Sequence, residues 1–187
     1  MKAIIVNGAP ATGKTTLVQN LLTQHDYPVL SKDEAKEKLF AAAGRTIGLR
    51  EGQVYETQAL KTLFDEIAKM LPTAQTVIIE GNFTPSTRRT LRKLLTGVTA
   101  CELFCYAMPA LAVQRFAERT TRHPSHHDEV IINVIRWENA LLRLGIHRYK
   151  SVLDRRRVLR INTTDPHKID YQEIESFISR EVDKDEA

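Results

Sequence analysis

The 187-residue chain holds two cysteines, one tryptophan and 6% aromatic residues in all, and it lacks any long apolar run. Each scarcity removes a class of protein. Cys101 and Cys105 are too few for the disulfide framework of a small secreted domain, and their spacing is not that of a CxxC zinc or redox motif. Four apart in a strand-like segment, they fall on one face of a sheet and read as reduced, structural thiols of a cytoplasmic protein. With no apolar run near the length of a membrane span, the sequence predicts no transmembrane helix. The short apolar run after Met1 is also below the core of a secretion signal. No repeat, low-complexity tract or linker interrupts the chain. What is present is ordinary for a globular domain: 42% apolar and 27% charged residues, enough to bury a core in a single domain spanning 1–187. The formal charge of +4 suits anionic ligands without by itself demanding nucleic acid.

Short apolar runs alternate with helical periodicity from end to end. Ala3-Ile4-Ile5-Val6 is apolar at every position, as in a strand covered on both faces. Segments 28–31, 76–80, 101–107 and 157–161 are further strands. Helices are predicted over 13–24, 33–43, 52–71, 85–95, 109–121, 129–144 and 171–181. Gly44, Pro72 and Gly145 supply stops, and Pro85 suits a first turn. This alternation predicts an α/β fold, a parallel sheet between two layers of helices.

Directly after the first strand, Gly8-Ala9-Pro10-Ala11-Thr12-Gly13-Lys14-Thr15 satisfies G-x-x-x-x-G-K-[ST] at every fixed position, with Thr16 following. The glycines let backbone N–H groups turn inward around phosphate oxygens. The helix that starts at the loop adds free N–H groups and its dipole. Lys14 can reach the β- and γ-phosphates, and the Thr15 hydroxyl is placed to ligate Mg²⁺. The motif has the strand before it and the helix after it that its chemistry requires, and it predicts binding of ATP with Mg²⁺.

The acidic candidates follow from where strands end. Glu80 closes the strand 76–80, and in open α/β sheets ligands gather beyond the carboxyl ends of the strands. It is a candidate to hold Mg²⁺, directly or through water; the plainer reading is an exposed strand-end carboxylate. Asp33 follows the second strand and could direct the proton of an acceptor hydroxyl. Ser31-Lys32-Asp33-Glu34 also reads as a capping box, with Asp33 merely in a first helical turn. Arg115, Arg119 and Arg122 recur at i, i+4 and i+7, one face of a helix that could cover a transferring phosphoryl group or could simply be solvated. His123, His126, His127 and Asp128 have no spacing that fixes a metal geometry and read as a polar loop. Arg88-Arg89 with Arg92-Lys93, and Arg155-Arg156-Arg157, read as solvated basic faces, or else as phosphate or nucleic-acid contacts. Tyr55, Phe83, Arg50 and the segment 44–52 are candidates to line an acceptor pocket.

Four stretches together resemble the small P-loop kinases that include polynucleotide 5′-hydroxyl kinase, chloramphenicol phosphotransferase and the zeta toxins. They are the loop through Thr16, Ser31-Lys32-Asp33, Ile79-Glu80-Gly81-Asn82-Phe83, and Arg115…Arg119…Arg122-His123-Pro124. The resemblance implies a nucleoside-monophosphate-kinase-like fold, with a five-stranded parallel sheet in the order 2-3-1-4-5 and a helical lid over about 115–130. It implies that Asp33 activates an acceptor hydroxyl, that Arg115 and Arg119 belong to the lid, and that Asn162-Thr163-Thr164 lies near the adenine. The expected partners are ATP and a hydroxyl-bearing acceptor. A nucleotide-dependent ATPase or switch without an alcohol acceptor is the competing expectation.

Overall fold

The computed structural model of the chain describes residues 1–43, 49–122 and 149–182. Its centre is a five-stranded, wholly parallel sheet in the order β2-β3-β1-β4-β5. The strands are β1 (Lys2–Gly8), β2 (Val29–Ser31), β3 (Thr76–Gly81), β4 (Thr99–Tyr106) and β5 (Val158–Asn162). The helices are α1 (Lys14–Leu21), α2 (Lys32–Ala43), α3 (Leu49–Met70), α4 (Pro85–Leu94), α5 (Pro109–Arg122) and α6 (Tyr171–Val182). The fold class and strand order expected from the sequence are those of the structure. Boundaries moved by a few residues: α1 stops at Leu21 rather than near Gln24, and α3 begins at Leu49 rather than Gly52. The helix expected over 129–144, with Trp137, lies outside the described residues. None of the described helices is long and apolar enough to cross a membrane.

Period-two alternation divides the core. Ala3 and Ile5 of β1, with Val77 and Ile79 of β3, face Leu63 and Ile67 of α3 and Leu91 of α4. Ile4 and Val6, with Ile78 and with Cys101, Leu103 and Cys105 of β4, face Leu17, Val18 and Leu21 of α1 and Ile174, Phe177 and Ile178 of α6. Both faces of β1 are therefore covered, which is why its sequence is continuously apolar instead of alternating. The two cysteines share a face, and both are buried.

A carboxylate also lies in the middle of β4, inside this apolar sheet. Glu102 of β4 is fully buried. Its carboxyl accepts from Asn7 Nδ2 at 2.8 Å and from the backbone N–H of Leu153 at 2.8 Å. Asn7 also donates to the Lys150 carbonyl at 3.1 Å, Arg88 donates to the Ser151 carbonyl at 3.0 Å, and Arg92 donates to the Val152 carbonyl. The segment that precedes β5 is thus sewn to β1, β4 and α4 by polar side chains. Arg88 and Arg92, read from the sequence as solvated or ligand-facing, also fasten the fold, because the carbonyls of an irregular segment need donors.

Burial raises the Glu102 carboxyl from its ordinary 4.5 to about 7, only partly offset by the Leu153, Asn7 and Val152 donors and the charge of Arg88. The sign follows. Below pH 4.5 the group is protonated whether the chain is folded or unfolded, and its burial carries no ionic penalty. As pH rises to 7, the unfolded chain releases the proton first, and stability falls by on the order of 3 kcal/mol. Urea denaturation of Glu102→Gln across this pH window should show that fall removed, leaving only a pH-independent cost from the lost acceptor. A variant whose midpoint still drops in parallel with the wild type would refute this account.

Candidate functional site

Every strand of a parallel sheet points its carboxyl end the same way, so the segments after β1, β2, β3 and β5 converge on one edge. The phosphate loop leaves β1 there. Gly8 has φ +153°, and a Cβ at that position would lie 2.2 Å from the Cys105 carbonyl oxygen, so only glycine lets the loop pass β4. Gly13, at φ 75° and ψ 16°, is the left-handed N-cap of α1. Ala11 also adopts a left-handed conformation, φ 58°, a placement that costs a non-glycine residue roughly 1 kcal/mol and is concentrated at functional sites.

Side chains hold the loop in shape. Thr12 Oγ1 donates to the Ala9 carbonyl at 2.7 Å, and Lys14 Nζ donates to the same oxygen at 2.9 Å. Lys14 is buried, its ammonium folded back over the loop. Thr163, just past β5, is also buried; its hydroxyl lies 2.9 Å from the Thr12 carbonyl and 3.1 Å from that of Tyr106. Asn7 accepts from the N–H of Gly8 at 2.7 Å and of Phe83 at 3.3 Å through Oδ1, joining the loop to the exit of β3. Burial pushes the Cys105 thiol up to about 12 despite the charge of Lys14, so it remains a neutral thiol behind the loop.

Thr15 and Glu80, assigned separately from the sequence, are brought together: Thr15 Oγ1 donates to Glu80 Oε1 at 2.7 Å. A hydroxyl and a carboxylate in contact at the mouth of a phosphate loop are hard oxygen donors of the kind Mg²⁺ selects, so the residues present fit that ion. Pro10 and Thr16 complete the loop, with Thr16 exposed on the first turn of α1. Asp33 is exposed on the first turn of α2, beside the carboxyl end of β2, and makes no hydrogen bond or ion pair among the described residues. The Ser31 capping interaction is long, 3.5 Å from Oγ to the Glu34 N–H. Arg115 Nη2 donates to the carbonyls of Thr163 and Thr164 at 2.9 and 3.2 Å, tying α5 to the turn after β5. Arg119 and Arg122 belong to α5, but their side chains lie outside the described residues, as do segment 44–48, the side chain of Arg50, and His123, His126, His127 and Asp128. Phe83, expected beside an acceptor, is fully buried in the core instead. A Cβ on Gly81 would come within 2.8 Å of its ring, so that glycine makes room for it.

Two polar residues of this edge escaped the sequence reading. Asn7 ends an otherwise apolar strand, and that interruption was its available signal. Lys32 is 4% exposed. It bonds Glu56 of α3 and donates to Asn82 Oδ1 at 2.8 Å. Nothing in a lysine followed 24 residues later by a glutamate distinguishes this pair from surface charge.

These features, a parallel sheet in this strand order with a phosphate loop after its central strand, define the fold of P-loop kinases. The chain matches the AAA domain family over residues 4–142, most of its length, and belongs to that family. Among solved structures it is similar to a protein from Chloroflexus aurantiacus J-10-fl described as a candidate kinase, with 29% identity, a TM-score of 0.82 and coverage of 97% of this chain and 98% of that one. A gluconokinase from Sinorhizobium meliloti 1021 shares the fold at 13% identity and a TM-score of 0.57, over 97% of this chain and 93% of that one. A sugar kinase from Janibacter sp. HTCC2649 does so at 15% identity and a TM-score of 0.56, over 96% and 93%. No curated protein matches the chain.

The support of the loop by Thr163 can be tested alone. Thr163→Val keeps the shape of the side chain but strips the Thr12 carbonyl of its donor, and should weaken nucleotide binding about tenfold, the worth of one buried hydrogen bond near 1.4 kcal/mol. Calorimetric titration measures it, and unchanged affinity would show that the loop holds its shape without this contact.

Proposed function

We propose that the chain is an ATP-dependent kinase that transfers the γ-phosphoryl group of ATP·Mg²⁺ to a hydroxyl, on a small molecule or on a nucleic-acid 5′ end. The observation that carries this reading is the Thr15–Glu80 contact at 2.7 Å, which sets a hydroxyl and a carboxylate side by side at the mouth of the phosphate loop. The resemblance to polynucleotide 5′-hydroxyl kinase, chloramphenicol phosphotransferase and the zeta toxins rests on four short stretches of sequence and supports the alcohol acceptor.

In this reading the backbone N–H groups of residues 8–15 and the start of α1 surround the phosphates. Lys14 leaves the Ala9 carbonyl and neutralises charge between the β- and γ-phosphates. Thr15 and Glu80 would hold Mg²⁺, whose chemistry is to draw negative charge from the phosphate oxygens. Asp33, in the first turn of α2, receives the acceptor's hydroxyl proton. The acceptor oxygen forms its bond to the γ-phosphorus as the bond to the bridging oxygen breaks, and ADP leaves. Arg115, Arg119 and Arg122 form the start of the lid expected over 115–130. They stabilise charge on the transferring group and exclude water, which would otherwise compete as acceptor.

The test is transfer of labelled γ-phosphate from ATP·Mg²⁺ to nucleosides, 5′-hydroxyl oligonucleotides, sugars, nucleotide sugars, and aminoglycoside and phenicol antibiotics. A labelled product should form on one class of acceptor. Lys14→Ala should abolish it, and Asp33→Asn should lower it at least about a hundredfold, the lower range for a lost general base, with ATP still bound. Release of free phosphate at a rate indifferent to Asp33, with no product on any acceptor, would replace the kinase with an ATPase or a switch.

A further inference from the structure

Lysine is almost never fully buried unless it is paired, because removing an ammonium from water is expensive. Lys32 is nonetheless buried, and it lies at the junction of β2 and α2, one residue before Asp33. Its ammonium reaches two other elements at once: the carboxylate of Glu56 on α3, and Asn82 Oδ1 just beyond β3 at 2.8 Å. Glu56 is shared with Lys36, one turn further along α2, at 3.0 Å. Burial pushes the Glu56 carboxyl up, but Lys32 and Lys36 outweigh this and hold it below its ordinary value, so it remains an anion between two cations.

The placement of this network matters more than its energy. Ser31 pairs with Glu80 in the β2–β3 register, so Lys32 and Asn82 leave adjacent strands side by side on the edge that carries the Thr15–Glu80 pair. Besides the buried Ala35 and the Lys36–Glu56 pair, the polar ties of this turn are weak: its Ser31 cap is stretched to 3.5 Å, and Asp33 itself has no partner among the described residues. We propose that Lys32 is a positioning residue, a buried clasp that joins α3 and the exit of β3 to the first turn of α2 and so fixes where the Asp33 carboxylate stands. The proposal rests on the kinase reading for the role of Asp33, though the clasp itself does not.

Replacement by Lys32→Met keeps the length of the side chain and removes its charge, Glu56→Gln removes the partner's charge, and Lys32→Arg restores a cation. Lys38→Met, on the exposed Lys38–Glu34 pair of the same helix at 2.9 Å, serves as control. In the full-length protein with ATP·Mg²⁺, amide hydrogen exchange over residues 31–36 should quicken about tenfold in Lys32→Met and in Glu56→Gln, and stay unchanged in Lys38→Met. On the acceptor found by the transfer panel, Lys32→Met should lower kcat about tenfold with the KM for ATP within about twofold, as for a group displaced in the transition state and not in nucleotide binding. Lys32→Arg should recover part of that loss, and the double variant Lys32→Met/Glu56→Gln should be no slower than Lys32→Met. Unchanged exchange over 31–36, or a lower melting temperature with kcat intact, would overturn the proposal. Failure of the kinase reading looks different: exchange responds to Lys32→Met while transfer, or phosphate release, ignores Asp33→Asn.

Discussion

β1 carries helices on both faces, so it can present polar groups to a ligand only where it ends. That constraint organises the molecule. A strand buried on both sides must be apolar along its length, and Ala3 to Val6 are. Its last residues must then manage an abrupt change from core to phosphate site. Asn7 does so by using its amide in four directions, toward Gly8, Phe83, Glu102 and Lys150. Gly8 does so by having no side chain where the Cys105 carbonyl needs the space. The loop beyond is shaped by the strand's surroundings as much as by its own sequence.

The buried charges near this edge follow a common logic. Lys14, Lys32 and Glu102 are each nearly or fully hidden from water, and each is met by partners that reduce the cost of burial. They differ in what they are free to do afterwards. Lys14 donates to the Ala9 carbonyl within the loop itself. Lys32 faces a full countercharge and is fixed. Glu102 has donors but no countercharge in contact, and its carboxyl rises toward neutrality.

The sequence was most legible where local chemistry is dictated by spacing. The phosphate loop, the continuous apolar strand and the alternation of elements announce the fold, because each is a pattern within about twenty residues. Thr15 and Glu80 could be assigned one by one, and the parallel sheet brings them into contact. Legibility ended where contact depends on distant segments. Lys32 and Glu56 meet only because α3 packs over α2. Arg88 and Arg92 look like surface charge until the carbonyls of Ser151 and Val152 are set against them. Phe83 was taken for a pocket wall because it follows Glu80, but a strand exit can turn inward, and Gly81 allows it to. Glu102 went unread in the strand 101–107, because its partners Asn7 and Leu153 lie far from it in sequence.

The supports of the phosphate loop have an order in time as well as in space. The loop is made before the residues that hold it: Cys105 at its back, Lys150 against Asn7, and Thr163 under Thr12. A chain emerging from the ribosome therefore carries the nucleotide motif for a time without these supports. The bond from Thr163 to the Thr12 carbonyl can form only after β5 has docked beside β4. A nascent chain arrested before that point would carry the motif without this support.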